Sequence, residues 1–202
     1  MHLVCLDLEG VLVPEVWISF AERTGIAELR LTTRDVPDYD QLMRGRLKIL
    51  GEHKLGLAQI QEVISELEPL EGAREFLDRM RQDFQVIILS DTFYEFGMPL
   101  MRKLGMPSLF CHKLVVGADG AITGYQLRQA DPKRKAVAAL KDLNFRVLAA
   151  GDSYNDTSML SEADAGVLFR APANVVREFP QFPVTERYED LEAALRNAST
   201  AL

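Results

Sequence analysis

The sequence predicts an α/β protein, a three-layer sandwich built on a mainly parallel sheet, with a small helical insert after the first strand. Three observations predict it. Short, almost continuous apolar runs recur along the chain, as in strands covered on both faces. Amphipathic helical stretches separate them, and such alternation reads as an open sheet with right-handed crossovers. Three of the runs end in acids or hydroxyls, and ligands of open α/β sheets bind at the carboxyl ends of strands.

Residues 2–8 form the first run, with Asp7 near its end. Phe84–Leu89 forms the second, leading into Ser90-Asp91, and Phe145–Ala150 the third, leading into Gly151-Asp152. Ala165–Phe169 is a fourth. Helical spacing of apolar residues marks Gly72–Gln82, Phe96–Leu104 and Lys133–Leu143. Residues 14–69 break the alternation. They read as amphipathic helices over Glu15–Thr24, Tyr39–Leu50 and Leu57–Leu67, with a loop from Thr32 to Asp38 between the first two. Such an insert would sit over the strand ends like a lid, dividing the chain into a core of residues 1–13 and 70–202 and a helical cap of 14–69. Alternation over 111–128 around Gly117–Gly120 predicts a β-hairpin. Residues 187–202 read as a terminal helix with a frayed end.

Composition sets the boundaries. With 202 residues the chain is one domain, or one core with a sizeable insert, and needs no disulfide or metal staple. The two cysteines, Cys5 and Cys111, exclude a disulfide framework and a four-thiolate zinc site. The opening residues carry no basic stretch followed by an apolar core, and no apolar run approaches the roughly 20 residues of a membrane span, so a cytoplasmic protein without a membrane partner is expected. The net charge of -7 disfavours polyanionic partners such as nucleic acid, which the bases at Arg134 and Lys135 are too few to reverse. Small molecules are the expected partners of a monomer or homodimer.

The strand ends carry the chemistry. Asp7 and Glu9 lie two residues apart, so an extended chain would project both carboxylates to one side. Paired acids there can bind a hard cation, and one can act as nucleophile while the other transfers protons. Ser90 and Asp91, with backbone N–H groups and a following helix N-terminus, can hold phosphoryl oxygens. Asp7 and Asp152 from neighbouring strand ends would give Mg2+ oxygen ligands and leave room for water and phosphate. Lys133, at a helix start 18 residues before Gly151, could neutralise a nucleophilic carboxylate and a transferring phosphoryl group. Each piece alone also fits a plainer role: a solvated turn, an N-cap, a charged helix face.

Taken in this order, Asp7-x-Glu9-Gly10-Val11, the apolar run to Ser90, Lys133 at a helix start and Gly151-Asp152-x-x-Asn155-Asp156 resemble the four signature motifs of the haloacid-dehalogenase-like phosphatases. The resemblance spans roughly residues 3–170 and includes the insert, which that family calls a type-one cap. It implies a Rossmann-like core. Within the family the chain resembles the phosphoserine phosphatases. Glu15 matches the cap glutamate that receives the substrate ammonium group. Met43-Arg44-Gly45-Arg46-Leu47 resembles the segment whose arginine holds the substrate carboxylate, with Arg46 favoured and Arg44 its rival. Two departures stand out: Glu9 replaces the usual second aspartate, and Ser90-Asp91-Thr92-Phe93 replaces Ser-Gly-Gly-Phe. Both resemble the bifunctional phosphoserine phosphatase/phosphoserine–homoserine phosphotransferase type.

The resemblance implies that Asp7 attacks the phosphorus of O-phospho-L-serine while Glu9 protonates the leaving oxygen. It implies Mg2+ on Asp7, Asp152 and the Glu9 main-chain carbonyl, with Asp156 supporting the ion's water shell. Ser90, Lys133 and Asn155 would meet the phosphoryl oxygens, and Asp91 would stand near the substrate. Water as acceptor gives a phosphatase and L-homoserine a phosphotransferase. The alternatives are a phosphatase of the same fold for another small phosphorylated metabolite, or a non-catalytic module on this scaffold.

Overall fold

The computed structural model describes residues 1–32, 35–36 and 38–201. Thr33, Arg34 and Pro37, within the predicted loop from Thr32 to Asp38, lie outside the described residues, as does Leu202. The seven strands described are β1 (His2–Leu6), β2 (Gln85–Phe93), β3 (Ser108–Val116), β4 (Ile122–Gln126), β5 (Arg146–Gly151), β6 (Ala165–Phe169) and β7 (Val184–Thr185). They form one sheet in the order β4-β3-β2-β1-β5-β6-β7. Every neighbouring pair is parallel except β3 and β4, the predicted hairpin. The helices are α1 (Val16–Thr24), α2 (Tyr39–Glu52), α3 (Leu57–Glu66), α4 (Ala73–Asp83), α5 (Tyr94–Lys103), α6 (Pro132–Asp142), α7 (Thr157–Glu162), α8 (Ala173–Glu178) and α9 (Tyr188–Ala201).

Strand β1 shows why its run is apolar throughout. Val4 and Leu6 join the core beneath α4, α5 and α9, while Leu3 and Cys5 join the core beneath α6, α7 and α8. Alternate residues feed opposite faces, and both faces are covered. Cys5 and Cys111 are free and buried, and burial pushes both thiols up to about 12. Among the described residues no helix is long and apolar enough to cross a membrane.

The chain runs from β1 out through β2, β3 and β4, then returns to the other side of β1 as β5. That reversal opens a crevice at the carboxyl ends of the central strands, where open α/β sheets bind ligands. Helices α1, α2 and α3 follow β1 in sequence and contribute Trp17, Phe20, Met43, Ile60 and Ile64 to the same core as the sheet face beneath α5. Pro99 lies inside α5, and Gln61 of α3 donates from Nε2 to the Glu95 carbonyl four residues before it, at 3.0 Å.

Several details differ from the sequence expectation. Strand β2 runs on through Ser90-Asp91-Thr92 to Phe93, with a register shift against β3 between Leu89 and Phe93. Helix α5 therefore begins at Tyr94 with Phe93 in the cap position, so Ser90 and Asp91 are not at a helix N-terminus. Helices α7 and α8 and strand β7 were not legible in the sequence. Each is short and buries two apolar residues at most, so no periodicity develops.

Candidate active site

The crevice is a cavity of about 770 Å³, an ordinary size for a small-molecule site. Asp7, Glu9, Ser90, Asp91, Lys133, Asp152 and Asn155 line it from the sheet side, with Glu15 from the cap position before α1 and Arg46 from α2. These nine of the residues singled out in the sequence thus face one space, whereas Asp156 and Arg44 do not line it.

The Asp7 N–H donates to the Ala150 carbonyl at 3.0 Å, which adds one rung to the β1–β5 ladder and fixes the carboxylate at the crevice floor. The chain does not continue extended. It bends at Leu8 and turns at Gly10, where φ is +81. Asp7 and Glu9 nevertheless both reach the cavity. A β-carbon at Gly10 would lie 2.6 Å from Asp152 Oδ2, so the two strand-end loops close on each other only because this residue is glycine. Gly151 is constrained in the same way, since a β-carbon there would collide with the Asp156 side chain.

Lys133 enters from the first turn of α6 and is 3% exposed. Its Nζ lies 2.8 Å from Asp7 Oδ1, 2.6 Å from Asp156 Oδ1 and 3.8 Å from Asp91 Oδ2. Burial alone would discharge this ammonium, and the attraction of Asp156, Asp7 and Asp91 outweighs it and keeps it charged. Asp156 is fully buried beneath the cavity wall. Its second oxygen accepts the N–H groups of Asp152 at 3.0 Å and Ser153 at 3.1 Å, so it braces the loop after β5. Burial, and next the charge of Asp156, raise Asp7 well above the usual carboxylate range despite Lys133.

Asp7, Asp152 and Asp156 each bring a carboxylate oxygen within 4.8 Å of the others. Hard oxygen donors and an excess of negative charge over one ammonium fit a small divalent cation. The Glu9 side chain is outside this group. Burial pushes Glu9 up to about 8, helped by the charge and hydrogen bond of the neighbouring Glu15 and opposed by a hydrogen bond from Thr92.

Asp91 is held from three sides. Asn155 Nδ2 donates to its Oδ2 at 2.8 Å, His112 Nε2 stands 3.6 Å from Oδ1, and Lys133 completes the set. Burial opposes ionisation, but Lys133, His112 and Asn155 prevail and bring Asp91 down to about 2. The Tyr39 hydroxyl donates to the Asp91 main-chain carbonyl at 3.2 Å.

At the α1–α2 wall, Arg46 is buried while Arg44 is 76% exposed and pairs with Asp40 at 2.6 Å. Only Arg46 of the two faces the cavity. Thr92, whose hydroxyl the Ser90-Asp91-Thr92-Phe93 departure would bring near the substrate, also lines it, as do Trp17, Tyr39 and His112, which carry no functional signal in the sequence. Trp17 occupies an apolar helix position, and Tyr39 and His112 belong to no local motif.

A model of the haloacid dehalogenase-like hydrolase family matches residues 1–164. The chain is 64% identical over 200 residues to the phosphoserine phosphatase ThrH of Pseudomonas aeruginosa, covering 99% of this chain and 98% of that one. It is 62% identical over 199 residues to a phosphoserine phosphatase of Pseudomonas syringae pv. tomato, covering 98% of this chain and 84% of that one. The crystal structure of a phosphoserine phosphatase in apo form superposes with a TM-score of 0.75 at 22% identity, over 92% of this chain and 94% of the other. With the strand-end acids, the lysine and the sheet order in place, the chain belongs to the haloacid dehalogenase-like hydrolase family.

Proposed function

We propose that the protein is an Mg2+-dependent phosphatase that hydrolyses O-phospho-L-serine to L-serine and phosphate, and that it also passes the phosphoryl group to L-homoserine. The observation that carries this reading is the distribution of charge in the cavity. Acids and Lys133 crowd the strand ends, while Arg46 on α2 and Glu15 just before α1 line the other side. With a divalent cation and Lys133 offsetting those acids, a phosphate suits the first end, and a carboxylate and an ammonium group suit the second. The names of the two Pseudomonas relatives support the same substrate. In this reading residues 14–69 are the cap and residues 1–13 with 70–202 the catalytic core.

Asp7 attacks phosphorus, the P–O bond to serine breaks, and an aspartyl phosphate forms on Asp7. Glu9, which holds a proton near neutral pH, gives it to the departing serine oxygen. Glu9 then takes a proton from water or from the homoserine hydroxyl. That oxygen attacks phosphorus and the bond to Asp7 breaks. Lys133 offsets the charge on Asp7 and on the phosphoryl group, and Ser90 and Asn155 hold phosphoryl oxygens. Asp7, Asp152 and the Glu9 main-chain carbonyl would hold Mg2+, which supplies charge neutralisation between nucleophile and phosphate.

Incubation with O-phospho-L-serine and Mg2+, with and without L-homoserine, followed by phosphorus NMR of the products, tests the proposal. Free phosphate alone, and phosphohomoserine when homoserine is added, are expected. Turnover of another phosphorylated metabolite in preference to phosphoserine would replace the substrate, and turnover by Asp7→Asn would remove the nucleophile.

A further inference from the structure

We propose that Trp17 is a positioning residue for Arg46 and thereby sets the preference for substrates that carry a carboxylate. The inference rests on the reading of Arg46 given above.

The Arg46 guanidinium lies over the Trp17 ring, with Cζ 4.4 Å from the ring centroid. Its other contacts are neutral. Nη2 donates to the Leu31 carbonyl at 2.7 Å, and Nη1 lies 3.7 Å from Met43 Sδ. Nε is buried and has no hydrogen-bond partner. Arg46 forms no ion pair with the described residues, although Glu9 and Glu15 are close enough to favour its charge. A buried guanidinium without a paired anion is costly, and an indole offers it the most favourable face of any aromatic side chain.

The ring also constrains geometry. A guanidinium held over an aromatic face, with Nη2 bonded to the Leu31 carbonyl, has its fork restricted in orientation, which two-point recognition of a carboxylate requires. Trp17 cannot turn away to release it. It is buried and packs edge-on against Phe20 at 6.4 Å and Phe96 at 5.6 Å. A leucine at this position would fill space without offering a flat face, and Arg46 could then swing between rotamers.

The test compares O-phospho-L-serine with O-phosphoethanolamine, which keeps the phosphate and the ammonium but lacks the carboxylate. Trp17→Leu is expected to raise KM for phosphoserine about 10-fold, with kcat held within about twofold. Its parameters on phosphoethanolamine should stay within about twofold of wild type, and Trp17→Phe should restore most of the phosphoserine KM. In an Arg46→Met background, Trp17→Leu should add nothing. Equal losses on both substrates would mean that Trp17 only supports the packing of α1, and overturn the inference. A wild-type preference for phosphoserine that Trp17→Leu leaves intact overturns it too. Equal wild-type kcat/KM on the two substrates would instead overturn the reading of Arg46 itself. Trp17 is the only tryptophan in the chain, so a second readout is direct. L-serine should shift its emission and ethanolamine should not, and an identical response to both counts against the contact.

Discussion

The Gln61 side-chain amide caps the Glu95 carbonyl at 3.0 Å, across the joint between α3 and α5. Pro99 lacks the N–H that would otherwise reach back to that carbonyl within α5. The capped carbonyl therefore ties the inserted helices to the sheet through a defect in a core helix.

Gln61→Ala should cost about 1 kcal/mol of stability, the usual worth of such a bond. Urea denaturation measures it. In a Pro99→Ala background the helix can supply its own donor, and the same substitution should cost almost nothing. An equal cost in both backgrounds would assign the effect of Gln61 to other contacts.

Asp7→Asn should abolish turnover and yet stabilise the metal-free protein at pH 8. Burial and Asp156 make the folded state hold the Asp7 proton more tightly than the unfolded chain does. A carboxyl raised in this way contributes stability below its unfolded value of 3.8, and that contribution is lost as pH rises through the folded value. Melting curves in a chelator should therefore show the variant above wild type at pH 8, with the two converging as pH falls toward that unfolded value. Excess Mg2+ should reverse the order, because the ion stabilises only the intact acid group. A variant less stable than wild type at pH 8 without metal would contradict the charge balance described here.

Gly10→Ala should disable the site more than it harms the fold. The left-handed φ of +81 costs about 1 kcal/mol with a β-carbon present, and that carbon lies 2.6 Å from Asp152 Oδ2. Displacing Asp152 should weaken divalent cation binding by roughly 10- to 100-fold, as loss of ligand support does elsewhere. Calorimetric titration with Mg2+ and a thermal melt separate the two effects.

Glu9→Asp should lower the ratio of phosphohomoserine to free phosphate. The shorter side chain draws the carboxyl back from the acceptor and gives up its hydrogen bond with Glu15. Product ratios with homoserine in excess report this, and an unchanged ratio removes Glu9 from the choice of acceptor. Asp and Glu have similar reference pKa values, near 4, so reach is the variable under test.

The sequence by itself determined the central parallel strands, the hairpin and the helical insert, though not the edge strand β7 or the spatial order of the sheet. Buried parallel strands such as β1, β2 and β5 must be apolar on both faces, and acids placed just beyond them have few places to go but the crevice. Asp7, Lys133 and Asp152 were legible for that reason, as local patterns at predictable strand and helix ends. What only the tertiary structure decided lies between elements. Arg46 and Arg44 are two residues apart on one helix, and the packing of α2 alone turns one into the cavity and leaves the other in solvent. His112 beside Asp91, Tyr39 on the Asp91 carbonyl and Trp17 beneath Arg46 join residues at least 21 positions apart in sequence. Periodicity records which face of a helix is apolar. It holds no trace of which distant side chain that face will meet, because that contact is set by the crossing of packed elements.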